Sequence, residues 1–211
     1  MAAIVTTRQM DDCLHVELDS GEILKIARRV AGQYHLEAPR VLAEEEYAQL
    51  KAESQRYSSM RKALDYLAIR PRSEAEIERY LVRKNFDRDT IAETVASLRQ
   101  SGYLDDADYA ARFIAARLSR KAVGKNLLTS ELLKRGVDRN VIRKALKGSE
   151  SLHGDPEVLY RTAIKKFATL KHKKNPREKL FLFLRGRGFE PDAVVEVIDR
   201  IVREEHGERY E

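Results

Sequence analysis

An internal repeat with a period of 51 to 52 residues constrains the fold of this chain more than any other feature of its sequence. Six positions keep their apolar or turn-forming character through three copies, with no gap inside the matched stretch. The copies are Ile77, Leu81, Asn85, Phe86, Ile91 and Val95; Leu128, Leu132, Gly136, Val137, Ile142 and Leu146; and Leu180, Leu184, Gly188, Phe189, Val194 and Ile198. Apolar residues four apart on each side of a turn position predict two helices that share one apolar face.

A third helix is predicted ahead of each pair, over about residues 59–69, 106–120 and 157–170. The predicted fold is mainly α, a tandem array of three three-helix repeats that forms an elongated, curved body. The predicted domains are an N-terminal hairpin and linker helix at 1–57, followed by repeats at 58–107, 108–155 and 156–211. The alternative is one compact helical bundle whose self-similarity is accidental.

The N-terminal segment has a different pattern. Leu14, Val16 and Leu18 alternate with polar residues, which is typical of a half-buried strand. Turn-forming residues at 19–22 follow, and residues 23–26 can return as a second strand, so a small β-hairpin is predicted. A connector is expected around Pro39, and a polar helix from Glu44 to about 57.

Several helix starts carry capping signals. Ser73 and Glu76 match a capping box, in which a side chain and the backbone satisfy each other's unpaired groups. Asp155 and Asn175 each precede a proline, which suits the first position of a helix, and both are predicted to cap with their side chains. Asp105 opens an acidic run that suits the positive end of a helix better than a magnesium site.

No catalytic constellation is present in the sequence. The single Cys13 cannot form an internal disulfide and excludes a zinc site built from several cysteines. The five histidines are scattered, with no HExxH motif and no partner nucleophile. We therefore predict no enzyme activity, no cofactor and no metal site. Without a signal segment or an apolar run of about 20 residues, we expect a soluble, cytoplasmic protein with no membrane partner. We also predict a monomer.

Positive charge is concentrated in the second half of the chain. Residues 108–155 carry 11 basic and 5 acidic side chains, whereas residues 1–57 carry 7 and 10. Two clusters stand out: Arg112, Arg117, Arg120, Lys121 and Lys125; and Lys165, Lys166, Lys171, Lys173, Lys174, Arg177 and Lys179. Arg70 and Arg72 form a smaller group. Such clusters neutralise phosphates or acidic protein surfaces, and the alternative is a solvated helix face.

Two stretches of the first repeat resemble a known family. Residues 70–73 have the sequence Arg-Pro-Arg-Ser, and residues 102–106 have the sequence Gly-Tyr-Leu-Asp-Asp, followed by Tyr109 and Ala110. These stretches resemble the RecX family, the regulatory proteins of RecA-type recombinases. The resemblance covers about 60–150, and the predicted repeats agree with the family's architecture through about 205. One departure is Asn85, where the family usually has glycine.

The resemblance implies a non-enzymatic protein that binds the helical groove of a RecA-type recombinase filament on DNA. There it restrains filament growth and strand exchange, with weaker, non-sequence-specific binding to single- and double-stranded DNA. The basic clusters and the Arg70 and Arg72 pair are the candidate contacts with filament and DNA.

Two other classes stay open from the residues alone. The helices on either side of Asn85 could form a helix-turn-helix of a transcription factor. Asp89 and Glu93 oppose Arg88 and Arg99 on its second helix, which is poor chemistry for a major groove. The other class is a nuclease, but the scattered acidic residues do not form the cluster that would bind its catalytic metal ions.

Overall fold

The computed structural model describes residues 2–149 and 155–207, with side chains through 205. The chain is mainly helical with a small antiparallel sheet at its N-terminus, which confirms the predicted fold class at that level. It divides into two compact units, Met1–Leu104 and Asp105–Glu211. Residues 150–154, where the second predicted repeat ends, lie outside the described residues.

The predicted hairpin is confirmed, and it belongs to a wider sheet. Strands β1 (Ala2–Gln9), β2 (Cys13–Leu18), β3 (Ile23–Ala27) and β4 (Arg40–Leu42) form an antiparallel sheet in the order β3-β2-β1-β4. The sequence pattern missed β1 and β4. An irregularity in the β1 register between Ile4 and Thr6 breaks the alternation of β1, and β4 has only three residues. A single helical turn, α1 (Arg28–Ala31), follows β3.

The helices predicted over 44–57 and 59–69 are in fact one helix, α2 (Glu44–Ile69), so the predicted break between these two helices is wrong. No glycine or proline interrupts this stretch. The buried Ser59 hydroxyl donates to the Arg56 carbonyl at 3.0 Å and lies 2.6 Å from Thr94 Oγ1. The first half of α2 packs on the sheet through Leu50, and the second half packs on the following helices through Ala63.

The first unit ends with α3 (Glu74–Val82) and α4 (Arg88–Gln100). Ser73 and Glu76 form the predicted capping box at the start of α3. Asn85 holds the left-handed conformation expected at the turn, with φ of 62°. The apolar positions on both sides of this turn are buried with Ala63 of α2 in one cluster.

The second unit contains α5 (Asp106–Leu118), α6 (Lys125–Lys134), α7 (Arg139–Lys147), α8 (Pro156–Ala168), α9 (Pro176–Gly186) and α10 (Pro191–Gly207). Asp105 caps α5 by accepting two backbone N–H groups, and Asp155 caps α8 as predicted. The prediction for Asn175 is wrong. Its left-handed backbone turns the side-chain amide toward Glu178, and no side-chain cap forms on α9.

The predicted turn positions of this unit are observed, and so are its predicted core positions except Leu146, which is only partly buried. Gly136 and Gly188 have φ of 85° and 83°, in the left-handed region that glycine tolerates. Leu132 and Leu184 are both fully buried, as is Leu81 in the first unit. No strand occurs after residue 58 among the residues described.

Gly124 and Gly188 bring the turn before α6 against the end of α9. The Gly124 N–H donates to the Arg187 carbonyl at 2.9 Å, and the Asn126 N–H donates to the Gly188 carbonyl at 3.1 Å. Because α6 has no side-chain cap, these carbonyls are the acceptors for its first amides. A Cβ on Gly124 would lie 2.2 Å from the Gly188 oxygen, and one on Gly188 would lie 2.2 Å from the Leu127 nitrogen. Both positions therefore require glycine.

We expect Leu132→Ala to lower the free energy of unfolding by about 2–5 kcal/mol, because the change leaves a cavity in a packed core. Urea denaturation followed by circular dichroism measures this loss. Leu182→Ala is the matched control, since Leu182 is 62% exposed and its truncation should change the stability by less than about 0.5 kcal/mol. Equal effects of the two changes would contradict the assignment of Leu132 to the core.

We expect Gly124→Ala to destabilise the second unit by about 1–3 kcal/mol, because the added methyl group collides with the backbone of Gly188. Thermal denaturation of the two purified proteins compares this variant with Gly186→Ala. A Cβ at Gly186 would meet nothing within 4 Å, and this residue is helical, so its replacement should be neutral or stabilising. A Gly124→Ala protein as stable as the wild type would show that the two turns separate without cost.

Candidate nucleic-acid interface

The small basic group at the start of α3 is part of the packing of the first unit. The Arg72 guanidinium lies 3.8 Å from the centroid of the Tyr66 ring, and its side chain is only 9% exposed. Arg70 forms an ion pair with Glu76 at 2.8 Å. The structure thus places both arginines where they position the corner between α2 and α3.

Three members of the first basic cluster have carboxylate partners within the second unit. Arg117 on α5 donates through Nε to Glu131 on α6 at 2.7 Å. Lys125 lies 3.1 Å from Glu190, and its hydrogen bond lowers the pKa of that carboxyl group. Arg112 pairs with Asp108 one turn earlier on α5. Arg117 therefore links α5 to α6, and Lys125 links the start of α6 to the residue just before α10.

Lys121 is exposed and lines a groove of about 310 Å³ with two members of the second cluster, Lys165 and Lys166. Phe183 and Arg187 of the α9 region complete its wall. We call the four cations around Phe183 the junction cluster: Lys121, Lys165, Lys166 and Arg187. The fold thus brings together residues from the two clusters that the sequence shows as separate runs.

The geometry of the junction cluster suits a polyanion. Lys166 Nζ lies 4.9 Å and the Arg187 guanidinium 4.8 Å from the centroid of the Phe183 ring. Arg187 also donates to the Ala122 carbonyl at 3.1 Å, which fixes its position. None of the four cations has a carboxylate partner among the residues described. Their combined field therefore acts on solvent and on any phosphate that enters the groove.

The remaining cations of the second cluster lie close by in the sequence, between α8 and α9. Lys171, Lys173 and Lys174 are exposed in this connection, and Arg177 and Lys179 are exposed in the first turn of α9. The N-terminus of a helix carries partial positive charge, which disfavours cations there. The positive charge of Arg177 therefore does not stabilise α9 through the helix dipole.

Arg120 lines a different groove, of about 510 Å³, between α5 and α6. The Arg135 guanidinium lies over the Phe113 ring of this groove at 4.9 Å and donates to the Tyr109 hydroxyl at 3.2 Å. The groove also contains Glu131, so its charge is mixed. The first cluster is therefore divided between two surfaces.

Several basic and aromatic residues of the second unit were not among those predicted from the sequence. Phe183 and Arg187 reach the junction cluster only through the fold, and no local signal marks them. Arg139, Arg143 and Lys147 are exposed on α7 at a spacing of four. That spacing is visible in the sequence and predicts a stripe on one face.

Two negative findings apply to the described residues alone. Within 2–149 and 155–207, no three of His, Cys, Asp and Glu come close enough together to hold a metal ion. None of the helices in this part of the chain has both the length and the apolar content that a membrane span requires.

Comparison with known proteins identifies relatives of the chain. Profiles of the first and second three-helix domains of RecX match residues 60–98 and 105–146. The regulatory protein RecX of Chlorobium limicola is 32% identical over 141 residues, which are 66% of this chain and 86% of the relative. The RecX of Chlorobaculum tepidum is 31% identical over 154 residues, 72% of this chain and 94% of the relative.

Solved structures show the same fold. A crystal structure of regulatory protein RecX aligns with a TM-score of 0.73 at 21% identity, over 94% of this chain and all of that one. RecX from Lactobacillus salivarius aligns with a TM-score of 0.62 at 23% identity, over 69% of this chain and 96% of that one. With two matching domains and relatives above 30% identity that it covers almost completely, the chain belongs to the RecX family of regulatory proteins.

Proposed function

We propose that this chain binds a RecA-type recombinase filament on DNA and restrains filament growth and strand exchange without catalysing a reaction. It acts as a cytoplasmic monomer and binds DNA alone more weakly. The observation that carries the proposal is the junction cluster, where four cations without carboxylate partners among the described residues surround an aromatic ring. Membership of the RecX family supports the choice of partner.

Phosphate binding explains how such a surface could restrain the filament. Lysine and arginine gain affinity for nucleic acid by releasing condensed counterions, and they need no particular base sequence. A base from an unpaired strand can also stack on an aromatic ring such as Phe183. Occupation of the filament groove by these side chains would compete with an incoming duplex.

The repeat architecture is part of the proposal. We propose that 58–107, 108–155 and 156–211 are three copies of one three-helix unit. Supporting this, α9 and α10 share with α6 and α7 the buried leucines and the left-handed glycine at equal spacing. Repeated units can place several weak contacts along a partner that is itself periodic, which raises affinity by multivalency.

The helix-turn-helix hypothesis for the first repeat receives little support. On α4, Glu93 pairs with Arg56 at 2.8 Å, and Arg99 pairs with Glu74. Two of the four charged residues on α4 are thus held in ion pairs within the first unit. This helix does not offer a row of available cations to a major groove.

Co-sedimentation with recombinase filaments on single-stranded DNA tests the proposed function, with the DNA alone as control. We expect the protein to sediment with the filament at concentrations where little binds the bare strand. Equal binding to bare DNA would favour a general nucleic-acid-binding protein, and no binding to the filament would refute the proposal.

The triple change Lys121→Ala, Lys165→Ala and Lys166→Ala should weaken filament binding by about tenfold or more, because it removes most of the charge of the junction cluster. If the lost contacts are to single-strand phosphates, the dependence of log affinity on log salt should flatten by about 0.7 per contact. Co-sedimentation at several salt concentrations measures both quantities.

The matched control for this variant is Arg83→Ala, Arg88→Ala and Arg203→Ala, which removes the same charge from exposed positions elsewhere. Circular dichroism establishes that both triple variants fold. If the two variants bind equally well, the effect is one of net charge and the junction cluster is only a solvated surface.

A further inference from the structure

The helices α6 and α7 form a helix-turn-helix whose second helix is open to solvent. α6 has ten residues and α7 nine, joined by residues 135–138 with Gly136 in the left-handed conformation. Leu128, Leu132 and Ile142 anchor the pair in the core below. This is the geometry in which a second helix can enter a groove of DNA while the first crosses the backbone.

The exposed face of α7 carries a row of cations. Arg139, Arg143 and Lys147 are one turn apart, are exposed, and have no carboxylate partner among the residues described. We call them the α7 stripe. Arg143 donates to the Asn140 side-chain oxygen at 2.8 Å, so a guanidinium and an amide lie side by side near the start of the helix. These two groups make bidentate hydrogen bonds to guanine and adenine in the major groove.

The surface next to the stripe is concave and also basic. A groove of about 630 Å³ runs between α6 and α7, with Lys125 and Thr129 on the α6 side and the three cations of the α7 stripe on the other. Ile142 and Leu146 contribute its apolar lining. A phosphate backbone that follows this groove would meet cations from both helices.

The corresponding helices of the chain provide an internal comparison. α4 carries Asp89 and Glu93, and α10 carries Asp192, Glu196 and Asp199, whereas α7 has no acidic residue at all. All three helices bury an apolar residue at the corresponding position, namely Ile91, Ile142 and Val194. Stability alone therefore does not require the charge of α7, which is peculiar to this copy.

Duplex DNA fits the α7 stripe better than a single strand does. From Arg139 to Lys147 the stripe extends about 12 Å along a straight helix, comparable with the width of the major groove. Sequence-tolerant binding of single strands uses exposed aromatic rings for stacking, and no aromatic residue lies on α7 or lines the adjoining groove.

We infer that α7 is a DNA-reading helix that enters the major groove of duplex DNA, with the α7 stripe and Asn140 as its contacts. This binding needs no recombinase and uses a surface other than the junction cluster. It deepens one part of the proposed function, the weaker binding to DNA alone, by naming the surface and the groove. Because its test contains no recombinase, this inference and the proposed filament binding can fail independently.

Fluorescence anisotropy of the full chain on a duplex of about two helical turns, and on a single strand of equal length, tests the inference. Arg139→Ala, Arg143→Ala and Lys147→Ala together should weaken duplex binding about tenfold or more and single-strand binding by less than about threefold. The variant with Arg83, Arg88 and Arg203 changed to Ala removes equal charge and should keep both affinities within about threefold. Equal losses on duplex and single strand, or an unchanged duplex affinity, would overturn the inference.

A second measurement uses the unaltered protein, so it does not depend on the folding of a variant. Methyl green occupies the major groove and distamycin the minor groove of an A·T-containing duplex. We expect methyl green to displace the protein from the duplex and distamycin to leave it bound. Displacement by distamycin alone would place the protein in the minor groove and refute the assignment of α7.

Discussion

The contact between two backbones at Gly124 and Gly188 determines the arrangement on which the candidate interface depends. It joins the first amides of α6 to the last carbonyls of the α9 turn, two sets of groups that each helix leaves unpaired. The partial charges at these helix ends have opposite sign, so the contact is also electrostatically favourable. Ala122, two residues before Gly124, packs on the apolar cluster of the last three helices. Neither backbone could approach so closely if a side chain stood at either glycine.

This contact also gathers positive charge. Lys121 comes just before the Gly124 turn, and Arg187 just before Gly188, so the paired turns set these cations beside each other. Lys165 on α8 and Phe183 on α9 line the same groove. Four like charges in one groove repel one another, which opposes folding. The fold keeps them together because the cores on both sides are fully apolar, and such a conflict between local electrostatics and stability is typical of a functional surface.

The helix pairs and the left-handed turns inside them were predictable because helix periodicity and turn conformation depend on residues close in sequence. The same is true of the Asp108–Arg112 pair, one turn apart on α5. Partners far apart in sequence were not predictable: Lys125 meets Glu190 only in the folded chain, and the convergence of Lys121 with Arg187 is equally non-local. The continuous α2 was missed because two serines weaken a helical pattern, while the tertiary bond that satisfies Ser59 is invisible in the sequence.

The helices that share a buried pattern diverge on their exposed faces, and this divergence separates the roles of fold and function. Burial requires an apolar side chain at positions such as Ile142 on α7 and Val194 on α10. The left-handed turn before each helix restricts one further position to glycine, Gly136 and Gly188 respectively. Solvent-facing positions carry no such constraint, because a surface charge changes the free energy of unfolding by only about a few tenths of a kcal/mol. On α4 the charges have both signs, and Glu93 and Arg99 are used in ion pairs within the first unit. On α7 they are all positive and lack carboxylate partners among the described residues, and this difference between the exposed faces is what supports the proposed contact of α7 with DNA.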